Sequence, residues 1–391
     1  MKIHFFCPDF ILKAQKHIYF KGLNGLRFFA AFAVIITHIE LIKAQMNFEN
    51  LYKNKIIFEL GGLGVIFFFV LSGFLITYIL LMEKEQTGTI YIKKFYLRRI
   101  LRIWPLYFLI VALGFFVLPY FHFMELPYFV LFRTHLSLLN LILFLTMLPN
   151  LAFAIYKPLP HIGQTWSIGV EEQFYIVWPW VVKKSKNILK TLVMLIGVLI
   201  IFKVVILSFV KAYPSNFQLS VLKKFIAMFK IESMAIGGIG AWMVYKKKYF
   251  QMILSNYFLT GAFAGVILLI YFTPDKLQDA SFLVYSILFL IIILNVSLSP
   301  TSYIKLENKI FVFLGRISYG LYMYHLIVIA AFIGLLKYFG INVNNSIASQ
   351  LIVYISVTGF TILLSWLSYR YFESCFLKLK HKFTVIKTGN I

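Results

Sequence analysis

The chain has 391 residues, 61% of them hydrophobic and only 13% charged, with a net charge of +24 and a mean hydropathy of +0.85. That balance excludes a soluble globular protein, and basic residues gathered in short connections, with no basic domain, exclude nucleic acid as the reason for the charge. The two cysteines, Cys7 and Cys375, form neither a disulfide framework nor a metal-ligand spacing, so no metal is expected.

Residues 1–21 are mixed and basic, without an apolar core and small-residue cleavage site, and predict an uncleaved arm. Apolar runs follow at about 24–43, 57–82, 100–121, 136–156, 168–182, 188–210, 225–245, 252–272, 280–299, 310–336 and 347–368. Most are long enough to cross ~30 Å of hydrocarbon as a helix. Basic stretches at Lys2–Lys21, Lys93–Arg102, 183–186, 246–248, 302–309 and from Arg370 onward all belong on the cytoplasmic side. Eleven crossings would put two of them outside. The run 136–156, followed by the proline-bearing PNLAFAIYKPLPHIGQ, is the one expected not to cross. The sequence thus predicts an all-α polytopic membrane domain over 22–370, with about ten transmembrane helices plus a re-entrant or interfacial helix. A basic tail, 371–391, follows, and both termini are expected in the cytoplasm.

Ionisable residues within such runs are costly and mark function. NGLRFFAAFAVIITHIELI carries Arg27 and His38 eleven residues apart, which on a helix places them on one face about 16 Å apart along the axis. LRRILRIWPLYF brings Arg98, Arg99 and Arg102 together at a cytoplasmic helix start, and guanidinium is the planar donor that suits phosphate. WSIGVEEQFYIVWPW opens with Glu171 and Glu172, about 100° apart on a helix, so they cannot serve one site equally. This helix is expected to begin on the outer side, which would put its acids level with His38 and opposite the arginines in depth. In FFVLSGFLITY, no base lies within a turn of Ser72, which argues against a nucleophile there, and Gly73 leaves room for a ligand or a neighbouring helix. His325, beside two tyrosines, lines an acceptor cavity or is a packing histidine. His161, in an outer loop, is an alternative base.

GLRFFAAFAVIITH, GVIFFFVLSGFLITY, LRRILRIWPLYF, WSIGVEEQFY and ISYGLYMYHLIV, in this order from residue 22 to about 328, resemble the motifs of the membrane-bound acyltransferase family 3. One position departs from the pattern: Ile66 stands after Gly64 and Val65, where an aspartate is often found. The resemblance implies a ten-helix domain in a bacterial inner membrane. Such a domain uses cytoplasmic acyl-CoA, usually acetyl-CoA, as co-substrate and acylates a hydroxyl of an envelope carbohydrate or glycolipid such as lipopolysaccharide or exopolysaccharide. Residue by residue it implies catalytic roles for His38 and Glu172 and donor-binding roles for Arg27, Arg98, Arg99 and Arg102. Ser72, Gly73, Trp166, Glu171 and His325 are the candidates for lining the acceptor channel. No esterase-like domain of the kind fused to some relatives follows residue 370, so any second step is expected of another protein. The competing class is a transporter or flippase of an envelope precursor, which intramembrane ionisable groups also suit.

Overall fold

A computed structural model describes residues 17–126, 137–156, 158–274, 278–343 and 346–388. Long apolar runs leave backbone polar groups no partner in lipid except one another, and helices result. In chain order these are α1 (Leu23–Gln45), α2 (Lys55–Thr87), α3 (Ile92–Phe116), α4 (Leu138–Leu145), α5 (Pro149–Ile155), α6 (Thr165–Lys184) and α7 (Ile188–Ala212). The second half comprises α8 (Phe217–Met228), α9 (Ile231–Lys246), α10 (Asn256–Phe272), α11 (Gln278–Leu298), α12 (Lys309–Arg316), α13 (Ser318–Tyr338) and α14 (Ile347–Ser368). A π-turn, Tyr369–Glu373, then leads into α15 (Ser374–Lys380).

Among the described residues eight segments are long and apolar enough to span a membrane, and the shorter apolar α10 packs beside α11 while α6 packs against α2 and α3. The ends sort into two faces. Lys84, near the end of α2, donates to the carbonyls of Val182, Lys183 and Ser185 at 3.0 Å each, which ties that end to the end of α6. Lys55, at the start of α2, donates to Tyr271 O at 3.3 Å and Thr273 O at 3.1 Å, which ties the opposite face to the end of α10. A parallel pairing of His17–Ile18 with Lys387–Thr388 puts the two ends of the described chain on one face.

The run 136–156 does not cross. It forms the 8-residue α4 and the 7-residue α5, about 12 and about 10 Å long, against ~30 Å of hydrocarbon. The loop after them re-enters the bundle, where the Gln164 side chain donates to Met323 O at 2.7 Å, so α6 begins inside the helix bundle. Two other runs divide. The run 225–245 breaks between α8 and α9 at Phe229–Lys230, where Lys203 donates to the freed Phe229 carbonyl at 2.7 Å and pairs with Glu232 at 2.8 Å. The run 310–336 breaks at Ile317, between α12 and α13.

The closest helix contact explains Gly73. A Cβ at this position would lie 1.9 Å from Met234 O, and one at Gly237 would lie 2.0 Å from Val70 O, so α2 and α9 touch backbone to backbone. Gly73 therefore makes room for a helix, not for a ligand. Gly73→Ala should push the two helices apart and lower stability by about 1–3 kcal/mol or more. Thermal unfolding of detergent-solubilised protein reads this as a Tm lower by several degrees, and an unchanged Tm would refute the contact.

Candidate functional site

α1 begins where Gly22, at φ 74°, gives its N–H to Glu307 Oε2 at 2.6 Å. One turn in, Arg27 Nη1 donates to Asn24 Oδ1 at 3.1 Å, and the guanidinium enters a cavity of about 170 Å³ between α1, α2, α3, α6 and α13. Arg99 and Arg102 line the same cavity, reaching it from α3 because three residues on a helix bring side chains back to one face. Among the described residues, none of these three arginines has a carboxylate within 4 Å. The Arg99 guanidinium lies over the rings of Phe95 and Tyr175, 5.8 and 5.7 Å from the centroids.

Arg98 is placed differently. It is buried outside the cavity lining, pairs with the fully buried Glu83 at 3.1 Å, and donates to Phe383 O at 2.9 Å. Arg98 thus binds α2, α3 and the segment after α14 together.

The two acids also part company. α6 starts at Thr165, so Glu171 and Glu172 lie well past its first turn, which holds no acidic residue. Glu171 lines the arginine cavity, where Tyr175, one turn on, donates to its Oε2 at 3.0 Å and shares a short hydrogen bond with Ser72. The acid expected at the outer depth therefore shares the depth of the arginines, because the helix begins inside the bundle. Glu172 turns the other way. Its Oε2 accepts from Trp104 Nε1 at 3.0 Å, and among the described residues its buried Oε1 has no partner. Trp166 is half-buried, edge-on to Phe69 with centroids 6.2 Å apart, and stands outside the cavity lining.

His38 is half-buried farther along α1 and is joined across the bundle by His325. His325 Nε2 lies 3.0 Å from His38 Nδ1, with ring centroids 4.9 Å apart. His325 Nδ1 in turn lies 2.6 Å from the carbonyl of Tyr322, a residue whose side chain lines the arginine cavity. A carbonyl only accepts, so His325 Nδ1 carries a proton. In the neutral ring Nε2 is then an acceptor, His38 Nδ1 donates to it, and the second nitrogen of His38 keeps its lone pair. The Tyr322 hydroxyl meets Ser167 Oγ at 2.7 Å and donates to Gln164 O at 3.1 Å, which fixes the wall between the histidines and the cavity.

His161 takes no part in this arrangement. It is buried in the re-entrant loop, and among the described residues its Nδ1 has no partner. At the cavity mouth Tyr19 bonds Glu307, and burial, then that hydrogen bond, pushes its phenol up to about 12. The sequence patterns passed over Tyr175, Tyr322 and Tyr19. Tyr175 had a legible signal, its one-turn spacing from Glu171, whereas Tyr322 and Tyr19 join the site only through contacts distant in sequence.

The fold and site define a polytopic helical membrane protein whose bundle encloses a cavity lined by three arginines, with His38 of α1 and His325 of α13 paired farther along α1. The acyltransferase domain model matches residues 20–370, and the chain belongs to acyltransferase family 3. It is 30% identical, over 94% of its length, to a Staphylococcus aureus (strain COL) protein named "Putative O-acetyltransferase" and covers 58% of it. It is 26% identical, over 91% of its length, to O-acetyltransferase OatA of Staphylococcus aureus (strain NCTC 8325 / PS 47), covering 57% of that protein. Half of the chain is 32% identical to a Bacillus subtilis (strain 168) protein named "Putative peptidoglycan O-acetyltransferase YrhL", of which it covers 29%. The chain thus spans less than two thirds of the length of these relatives. No solved structure matches it.

Structural and cavity arginines should separate in stability. Glu83→Gln leaves Arg98 as a buried charge without its partner and should cost about 3–5 kcal/mol. Arg99→Gln removes a charge from a crowd of like charges and should leave Tm unchanged or raise it. Equal losses in thermal unfolding would show that Arg99 belongs to the structural framework after all.

Proposed function

We propose that this protein is a membrane O-acyltransferase that carries an acyl group, acetyl by the names of its relatives, from acyl-CoA to a hydroxyl of an envelope carbohydrate or glycolipid. The observation that carries this reading is the cavity in which Arg27, Arg99 and Arg102 converge against the single carboxylate of Glu171. An excess of guanidinium in a low-dielectric bundle asks for an anion, and the CoA phosphates supply one. Arg27 and His38 share the continuous helix α1, so its rise sets them about 16 Å apart, in the range of an extended pantetheine arm. The names of the relatives support acetyl transfer to an envelope polymer.

On this reading His38 is the general base. Its unprotonated nitrogen takes the proton of the acceptor hydroxyl, whose oxygen attacks the thioester carbonyl. The carbon–sulfur bond then breaks, and the CoA thiolate recovers the proton from the imidazolium. His325, not Glu172, orients the base, because its ring is the one bonded to His38. Glu171, with Tyr175 and Ser72, lies among the donor-binding arginines. The basic connections, following the positive-inside rule, set the arginine mouth towards the cytoplasm of a bacterial cell and the re-entrant segment towards the envelope.

His38→Ala should leave CoA binding within about twofold of wild type and lower acyl transfer by about a hundredfold to ten-thousandfold. The readouts are CoA affinity and free thiol release from acetyl-CoA in the presence of a carbohydrate acceptor. Arg99→Gln with Arg102→Gln should weaken CoA binding about tenfold or more, and lysine at both positions should restore only part of it. Wild-type protein that releases no thiol above background with several acceptors would overturn the enzyme in favour of a transporter. Orientation has its own test in a cysteine-free background: Ser215→Cys should react with an impermeant reagent added to intact cells, and Ser185→Cys should not. The reverse labelling would refute the orientation.

A further inference from the structure

A second cavity of about 210 Å³ lies between α2, α6, α11 and the break before α9, and its wall holds Glu59, Trp166, Lys230, Ser281 and Tyr285. Val65 and Phe69 line both cavities. From these two residues the arginine cavity runs along α2 towards Ile79, and the second cavity runs the other way to Glu59, near the end that Lys55 ties to α10. The two cavities therefore lie towards opposite faces of the bundle. A helix contact gives the depth of the second one relative to His38: a Cβ at Gly61 would lie 3.1 Å from Thr37, the residue before His38, and the next residue, Gly62, lines the cavity. The cavity is thus level with the base proposed above. His38 is not among its lining residues, and Gly61 and Gly62 point about 100° apart around α2, so the cavity stands beside the base and not around it.

The chemistry of this wall differs from that of the arginine cavity. Among its described lining residues one carboxylate, Glu59, balances one ammonium, Lys230, so no net charge asks for an ion. Lys230 Nζ lies 4.2 Å from the ring centroid of Phe282, another wall residue, and this contact keeps the ammonium at the cavity. Ser281 and Tyr285 supply hydroxyls, and Trp166, braced edge-on by Phe69, supplies an indole. Hydrogen-bond donors and acceptors set among aromatic rings suit a neutral ligand that carries several hydroxyls and an apolar ring face. We infer that this cavity binds one sugar unit of the acceptor, next to the unit whose hydroxyl reaches His38. The acceptor then has more than one unit, and it enters from the face opposite the arginine mouth. The inference rests on the acyltransferase reading proposed above.

Gly62 supplies the test, because a Cβ there meets nothing within 4 Å and Gly62→Leu fills cavity space without displacing a neighbour. The experiment uses full-length protein in nanodiscs, acetyl-CoA, and as acceptor the envelope glycan fraction of cells lacking the protein. Gly62→Leu should bind CoA within about twofold of wild type, which shows that it is folded. Its KM for the glycan fraction should rise about tenfold or more with kcat within about twofold, since a contact remote from the reacting hydroxyl is made equally in the ground and transition states. Glu59→Gln, which keeps the shape of the wall and removes a charged acceptor, should raise the same KM about threefold or more. An unchanged KM in Gly62→Leu, or a lower kcat at unchanged KM, would overturn the sugar site while leaving the donor reading intact. If Gly62→Leu loses CoA binding, Glu59→Gln decides, and an unchanged KM there refutes the site. Wild type that binds CoA and transfers no acyl group to the glycan fraction would overturn the acyltransferase reading and this inference with it.

Discussion

Three guanidinium groups held inside a helix bundle, in a cavity whose described lining includes one carboxylate, Glu171, are the constraint around which the structure is arranged. Charges in a low-dielectric interior repel strongly and gain little from water, so the cavity subtracts from stability. Other contacts must hold the helices that carry them. α2 is fixed to α9 by backbone contact at Gly73 and Gly237, and α3 is fixed to α2 by the buried Arg98–Glu83 pair. The neighbouring arginines of one motif therefore do opposite things: Arg98 spends its charge on the fold, and Arg99 and Arg102 keep theirs available.

α1 needs the same firmness, because it carries both Arg27 and His38. Its start is held by Glu307 on the Gly22 N–H. Its far end is held by a buried cluster in which Glu40 bonds Lys43 at 2.9 Å and Tyr354 at 2.8 Å, and Lys43 bonds Gln350 at 2.6 Å. Such a cluster is costly to desolvate and worth keeping only when every member is satisfied, as these are. A helix pinned at both ends turns a sequence separation into a fixed distance.

The crossings were legible because apolar runs of membrane length leave the backbone one solution, and the charge pattern singled out the run 136–156 as the exception. The shared face of Arg27 and His38 was legible from helical period alone. So was the divergence of Glu171 and Glu172, since neighbours on a helix point about 100° apart, but not which of them faces the arginines. That depended on where α6 starts, which the re-entrant loop decides through contacts such as Gln164 with Met323. The partner of His38 was hidden for a similar reason: 287 residues separate it from His325, and no local pattern reports a meeting of α1 with α13. The breaks at Phe229 and Ile317 were hidden too, because apolar composition runs straight through them.

A histidine partner in place of a carboxylate changes what the proposed base can do. A carboxylate would stabilise an imidazolium by its opposite charge and let it persist. In its neutral form His325, with its own proton committed to the Tyr322 carbonyl, orients His38 without supplying a counter-charge. An imidazolium formed there is stabilised by hydrogen bonding alone, inside a bundle that already holds an excess of cations. Such a cation returns its proton readily, and in the proposed reaction the nearest acceptor is the thiolate released when the thioester breaks. In the proposed reaction, the excess of cationic charge that would receive the donor phosphates would also favour this last proton transfer, so that one electrostatic imbalance would serve both ends of α1.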